Sequence, residues 1–196
     1  MSYHNLAFTP NVRATQLKLG SPIAKIDLGE DRTPMPLGTS EKEFIEESDG
    51  FFISSVSETG WPYIQFRGGP AGFARAIGDS TIAWAELRGN RQYITMGNLV
   101  GNDKVALFIV EYARRQRLKI LGRARITKDG SVIEAITPYA GKGRVEGALI
   151  VSVEAYDWNC PDHITPRYTE EEIGIELKRL RHRVTELEVQ LQIATQ

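Results

Sequence analysis

Three short segments of this chain concentrate arginine, glycine and amide side chains, the groups that bind anions. In QFRGGPAGF, Gln65 to Phe73, strand alternation puts Tyr63, Gln65 and Arg67 on one face and Ile64 and Phe66 on the other. With Ile64 and Phe66 taken as the core face, Gln65 and Arg67 project together from the opposite surface. Gly68 and Gly69 follow, where a backbone without side chains lets N–H groups approach a ligand closely. The alternative is a hairpin end with a solvated arginine. In ELRGNRQYI, Glu86 to Ile94, the residues Arg88, Gly89, Asn90 and Arg91 stand where a strand gives way to a short helix. A helix N-terminus offers free N–H groups and the positive end of a dipole, and the arginines add charge-assisted donors; a phosphate monoester suits that set. Asn90 as an ordinary N-cap is the structural reading of the same residues. In RRQRLKILGRARI, Arg114 to Ile126, the alternation groups Arg117, Lys119 and Leu121 against Leu118 and Ile120. Basic side chains there either bind a second anionic part of the same ligand or guard a strand edge against unwanted pairing.

Other chemistry finds less support. GKGRVEG, Gly141 to Gly147, has glycines at the wrong spacing for a dinucleotide loop and no clear strand leading into it, and no P-loop sequence occurs. Cys160 and His163 have a metal-like separation without a second pair to complete a site. No motif marks a serine or cysteine nucleophile. A loop histidine bonded to backbone is the plain reading of His163, with proton donation to a substrate as the alternative.

The elements that must position these residues are short. The first fifty residues are polar and broken by Pro10, Pro22, Pro34 and Pro36, with a helix expected from Asn11 to Leu19 and another opening at Thr39 or Ser40, capped by Glu43. From Phe51 the texture changes to strands: Phe51–Ser57 and Pro62–Arg67 as a hairpin, then Phe73–Ile77, Thr81–Ala85, Lys104–Tyr112, Arg117–Thr127 and Ala148–Val153. Short helices are expected over Arg91–Leu99 and within Ser131–Ala140. Strands joined by turns rather than crossover helices predict an antiparallel sheet closed or nearly closed as a barrel. At the end, Ile173, Leu177, Leu180, Val184, Leu187 and Leu191 make a heptad stripe among Lys, Arg and Glu. Such a helix lies on its own barrel or pairs with a partner subunit; the narrowness of the stripe favours the partner. The expected division is a barrel domain over residues 1–168 and a helix over 169–196.

The chain is 196 residues with 24 basic and 25 acidic side chains, a net charge of −1, so no global field draws it to nucleic acid or an anionic membrane. One cysteine excludes an internal disulfide framework. The start lacks the charged and apolar regions of a signal peptide, and no apolar run is long enough to span a bilayer. A cytoplasmic, soluble protein is the expectation.

Taken in order, GWPYIQFRGGPAGF, RGNRQYITMGNL, RLKILGRARI and DWNCPDHITPR resemble the pyridoxamine 5'-phosphate oxidase-related, FMN-binding proteins, over about Phe44 to Tyr168. The resemblance implies a mainly β, α+β fold: an antiparallel FMN-binding split β-barrel with peripheral helices, to which this chain adds its C-terminal heptad helix. It also implies a homodimer with FMN at the interface, held by residues of both subunits. Gln65 and Arg67 match the family strand that contacts flavin and ribityl phosphate. Gly89-Asn90-Arg91 falls where the oxidase proper has a Ser-Arg-Lys phosphate clasp; Arg91 matches in charge, Asn90 does not, and Arg88 is the candidate to compensate. Ala85 and Glu86 follow the strand against the flavin ring and offer backbone contacts. Arg117 and Lys119 match the strand that reaches the cofactor near the interface, either being the candidate for the basic group beside N1–C2=O. Trp158 and Arg167 correspond to the oxidase's closing Trp and Arg contacts, made to FMN on the other subunit. The chain departs from the oxidase proper in having Asp157-Trp158-Asn159-Cys160, His163 and Arg167 in place of the Trp-Gln-Gly and Arg-Leu-His stretches, which counts against oxidation of pyridoxamine phosphate itself. The implied function is FMN-dependent hydride or electron transfer to a small-molecule substrate, with NAD(P)H or oxygen as partner. The alternatives are a flavin-binding protein for storage, sensing or electron delivery, and a barrel for another anionic planar ligand such as haem or a deazaflavin.

Overall fold

Short apolar runs separated by turn residues become seven strands in the computed structural model, which describes residues 2–29, 31, 33–158 and 162–194. Helical pieces come first: α1 (Tyr3–Ala7), α2 (Pro10–Lys18), a 3-10 turn over Pro22–Lys25, and α3 (Thr39–Glu47). Pro10 takes the first helical position of α2, where its missing N–H costs nothing, and the Thr9 hydroxyl accepts from the Val12 N–H at 3.4 Å. The cap of α3 falls earlier than the sequence suggests. Gly38 is the N-cap, so the third helical residue is Glu41 and not Glu43, and the Glu41 carboxylate accepts from the Gly38 N–H at 2.9 Å.

The strands and their intervening helices follow as β1 (Gly50–Val56), β2 (Pro62–Gly68), β3 (Ala74–Ile77), β4 (Thr81–Leu87), α4 (Ile94–Gly101), β5 (Lys104–Glu111), β6 (Gln116–Thr127), α5 (Gly130–Ile136) and β7 (Val145–Trp158). They form one sheet in the order β2-β1-β5-β6-β7-β4-β3, with β1–β2, β1–β5, β3–β4, β4–β7 and β6–β7 antiparallel. The expected strand over Ala148–Val153 is the middle of a longer one. Its apolar run is continuous because both faces of β7 are covered. Leu149 and Val151 join the main core, while Ala148 and Ile150 pack with Ala83 and Ile136 in a second cluster under α5.

The sheet is rolled on itself. In a flat sheet β1 and β4 would lie about 19 Å apart, four strand spacings. Yet the rings of Phe51 on β1 and Trp84 on β4 meet edge-on at 5.0 Å, and Phe51 stacks on Phe73 at 5.4 Å. The interior of that roll is the main core, built from the inward residues Phe51, Ile53, Leu107, Ile109, Leu118, Ile120, Ile82, Trp84, Leu149 and Val151. This is the mixed α+β, antiparallel split-barrel architecture expected. Two bulges interrupt the β7 pairings, at Leu121/Gly122 on β6 and at Glu86/Leu87 on β4. At Gly122 a side chain is excluded, since a Cβ would meet the Ser152 carbonyl oxygen at 2.5 Å.

The chain divides into two compact units, Met1–Val110 with Arg117–Cys160, and Glu111–Gln116 with Pro161–Gln196. The second unit is dominated by α6 (Glu170–Ala194), which starts at a capping box: Thr169 N–H donates to Glu172 Oε2 at 2.7 Å, and Glu172 N–H to Thr169 Oγ1 at 3.2 Å. Among the described residues no helix is long and apolar enough to cross a membrane.

Candidate functional site

Alternation along β2 runs as the sequence predicts, but its two faces are reversed. Ile64 and Phe66 are the exposed ones, at 65% and 58%, while Tyr63, Gln65 and Arg67 turn inward. β2 is an edge strand whose register sets Gln65 and Arg67 opposite the inward Ile53 and Phe51 of β1, and its inner face meets the polar groups Glu86 and Thr95. There the Arg67 guanidinium reaches β4 and pairs with both carboxylate oxygens of Glu86, at 3.0 and 3.1 Å. Glu86 follows Ile82 and Trp84 on the inward face of β4, and the adjacent bulge sets its direction. The pair is shielded from water, and burial pushes the Glu86 carboxyl above its ordinary value of 4.5 even though Arg67 pulls it down. One nitrogen of the pair, Arg67 Nε, is buried without a hydrogen-bond partner.

The loop after β4 leads into α4 through two left-handed residues that are not glycine, Arg91 at φ 64° and Tyr93 at φ 51°. The helix starts at Ile94, later than expected. Asn90 is not its N-cap; the Asn90 side chain accepts from the Gln92 N–H at 3.1 Å and closes a local turn instead. Tyr93 is the N-cap and makes no side-chain capping bond, so the first N–H groups of α4 have no partner within the helix. The helix is anchored by Thr95 Oγ1 donating to Gln65 Oε1 at 3.1 Å and Asn98 Nδ2 donating to Ser55 Oγ at 2.9 Å.

A pocket of about 160 Å³ opens between these elements. Of the residues singled out from sequence, it is lined by Gln65, Arg67, Glu86, Gly89, Asn90 and Arg91. Ala85 lies beside it, lining a smaller cleft of about 60 Å³ with Arg67 and Gly68. Arg88 stands behind the wall, its Nε 3.6 Å from Glu146 Oε1, and the Tyr93 hydroxyl donates to Glu146 Oε2 at 3.1 Å. Arg91 and Lys128 both line the pocket and make no ion pair among the described residues. Lys128 was not legible as a site residue, since it follows β6 and only the roll of the sheet brings it here. Thr95 and Tyr93 were missed because the helix start was placed too early.

The remaining candidates lie outside this pocket in the single chain. Lys119 pairs with Asp157 at 2.8 Å and sits 4.6 Å over the Tyr3 ring. Arg117 is half-buried with its Nε unpartnered. The Trp158 indole donates to Glu41 Oε1 at 2.6 Å, and its ring meets Phe44 edge-on at 4.8 Å. Arg167 belongs to the second unit, where its guanidinium lies 4.7 Å over the Tyr112 ring. His163, also in that unit, has φ 66°. Cys160 lies outside the described residues, and among those described no cluster of three or more His, Cys, Asp or Glu could hold a metal ion.

The sequence profile of pyridoxamine 5'-phosphate oxidase matches residues 39–146, more than half of the chain. The chain belongs to that family. Among solved structures it is similar to HupZ of Group A Streptococcus, at 20% identity and a TM-score of 0.53 over 67% of this chain and 100% of that one. A variant of the same streptococcal protein gives 22% identity and a TM-score of 0.52 over 62% of this chain and 98% of that one. These likenesses show the fold. No curated protein matches the chain.

Proposed function

We propose that this chain binds flavin mononucleotide and works as a homodimeric oxidoreductase on a small organic substrate. The observation that carries the reading is the uncapped start of α4 beside Arg91 and Lys128, a set of donors that the chain's own carboxylates leave unsatisfied. Backbone N–H groups at a helix start, together with two cations, fit a phosphate monoester in charge and in hydrogen-bonding sense. Membership of the pyridoxamine 5'-phosphate oxidase family supports the same ligand. When bound, the flavin ring supplies the hydride and electron chemistry. Arg91 and Lys128 neutralise the phosphate, and the Gln65 amide, fixed by Thr95, offers a directed hydrogen bond. The Arg67–Glu86 pair sets the polarity of the inner wall, with Glu86 as a carboxyl able to hold a proton above the usual carboxylate range.

The homodimer is supported by size and by surface. Small-molecule sites run to about 300–1,000 Å³, so a pocket of about 160 Å³ is part of a site. A row of Phe66, Phe52 and Phe108 crosses the outer face of β2, β1 and β5 in register, continued by Ile64 beside Ser54 and Ala106, and this face suits a second copy of the chain. On this reading Arg117 and Lys119 reach the flavin near the interface, and Trp158 and Arg167 serve the flavin of the other copy. The test is an absorbance spectrum of the purified protein before and after addition of FMN and desalting. Retained bands near about 375 and 450 nm that bleach with NAD(P)H or substrate support the reading. Retained flavin that nothing reduces leaves a flavin carrier without turnover. No retained flavin overturns the reading in favour of haem or a deazaflavin.

A further inference from the structure

Helix α6 buries none of its residues, yet its sequence is written for burial. Ile173, Leu177, Leu180, Val184, Leu187 and Leu191 are 46–66% exposed along one stripe. In a heptad written abcdefg, Leu177, Val184 and Leu191 take a, and Ile173, Leu180 and Leu187 take d. The charged g positions are Glu176 and Arg183, with Gln190 at the third, and the charged e positions are Arg181 and Glu188, with Gly174 at the first. Glu176 and Arg183 pair along their own helix, with Arg179 at 2.7 Å and Glu186 at 2.9 Å. Arg181 and Glu188 make no ion pair among the described residues.

The charges decide both the partner and its direction. In a parallel pair of such helices in register, each g residue faces the e residue of the next heptad on the other chain. Glu176 then faces Arg181, and Arg183 faces Glu188, so every flanking contact is between opposite charges. In an antiparallel pair with full overlap, e faces e and g faces g. Arg181 would face Arg181 of the other copy and Arg183 would face Arg183, two like-charge contacts at the centre. At the centre Val184 at a with Leu180 and Leu187 at d favours two strands, whereas Leu177 at a beside Ile173 at d favours higher order, so the flanking charges carry the choice. We propose that residues 173–191 form a parallel, in-register, two-stranded coiled coil with a second copy of this chain. So short a coil gains from the effective concentration that a homodimer provides, and to that extent the proposal rests on the homodimer reading.

The experiment uses the full chain with Cys160→Ser, carrying Leu180→Cys at a d position or Thr185→Cys on the outer face. Under mild oxidation Leu180→Cys should form the disulfide-linked dimer about tenfold faster than Thr185→Cys. Adding Arg181→Glu sets like charges against Glu176 and should slow that linkage about fivefold, with Glu176→Arg restoring it. Leu187→Cys repeats the test at another d position should Leu180→Cys fold poorly. Equal rates for the d and outer positions overturn the coil. Fast linkage between mixed Leu180→Cys and Val184→Cys chains, insensitive to Arg181→Glu, overturns the parallel direction. A dimeric mass without linkage at either d position overturns the coil alone, whereas a monomeric mass overturns the homodimer reading as well.

Discussion

Where Arg67 meets Glu86, the rolled sheet holds two charges at 18% and 8% side-chain exposure; along α6, Arg179 and Glu176 pair at 74% and 52%. The distances are similar, and the consequences are not. A buried pair is costly to place in low dielectric and worse to break, because removing one partner strands the other. An exposed helical pair is screened by water and holds little. The apolar residues differ in the same sense. Phe51, Trp84 and Leu149 are spent inside the sheet, while Leu180 and Leu187 on α6 are half-exposed. The sheet encloses an apolar core within one chain, and the helix leaves its apolar stripe exposed.

The largest expected effect that would break this comparison is at Arg67. Arg67→Ala leaves the Glu86 carboxylate buried alone and should cost about 3–5 kcal/mol of unfolding free energy in urea titration. A loss as small as that of an exposed pair would show that Glu86 is solvated or takes up a proton once Arg67 is gone. Next comes the pocket rim, where on the proposed reading charge serves a ligand and not the fold. Arg91→Ala and Lys128→Ala should each weaken FMN binding by about 1.5–3 kcal/mol, read by fluorescence quenching, at an unchanged melting temperature of the free chain. A fall in melting temperature with intact binding would move both residues into the fold.

A pH series sharpens the contrast further. The folded Glu86 carboxyl holds its proton above 4.5, where the unfolded chain releases it. Its contribution to stability is therefore full below pH 4.5 and is lost as pH rises through the folded value. Glu86→Gln removes that slope, so the stability of the native protein relative to the variant should decline with rising pH over this window. A difference that grows with pH would mean that Arg67 outweighs burial, and a pH-independent one that the two cancel. The smallest effect belongs to α6: Arg179→Ala should leave the unfolding midpoint where it was, and a clear shift would show that this pair is shielded by something outside the chain.

Much of the architecture could be read from local pattern. Short apolar runs bounded by turn residues found every strand, and the heptad found α6 because its stripe repeats without interruption. Position along the roll could not be read. Ile64 and Phe66 look like core residues by alternation alone, and the register with β1, which sets Arg67 and Gln65 opposite the inward Phe51 and Ile53, turns them outward. Arg67, Arg91 and Gln65 were recognisable by type and spacing, but the partnership of Arg67 with Glu86 depends on strands that become neighbours only on closure. The late start of α4 escaped for a different reason. Arg91 and Tyr93 adopt left-handed backbone that side chains disfavour, so the sequence carries no glycine to announce the break.

The roll that brings Phe51 against Trp84 also governs when the pocket exists. Its walls come from β2, β4, α4, β7 and the end of β6, segments far apart in sequence that converge only through long-range contacts. Topologies of this kind fold slowly, since distant loops must close before any contact rewards them. A ligand held there recognises the closed sheet and nothing earlier on the folding path. Binding there would therefore add to the stability of the folded chain by mass action.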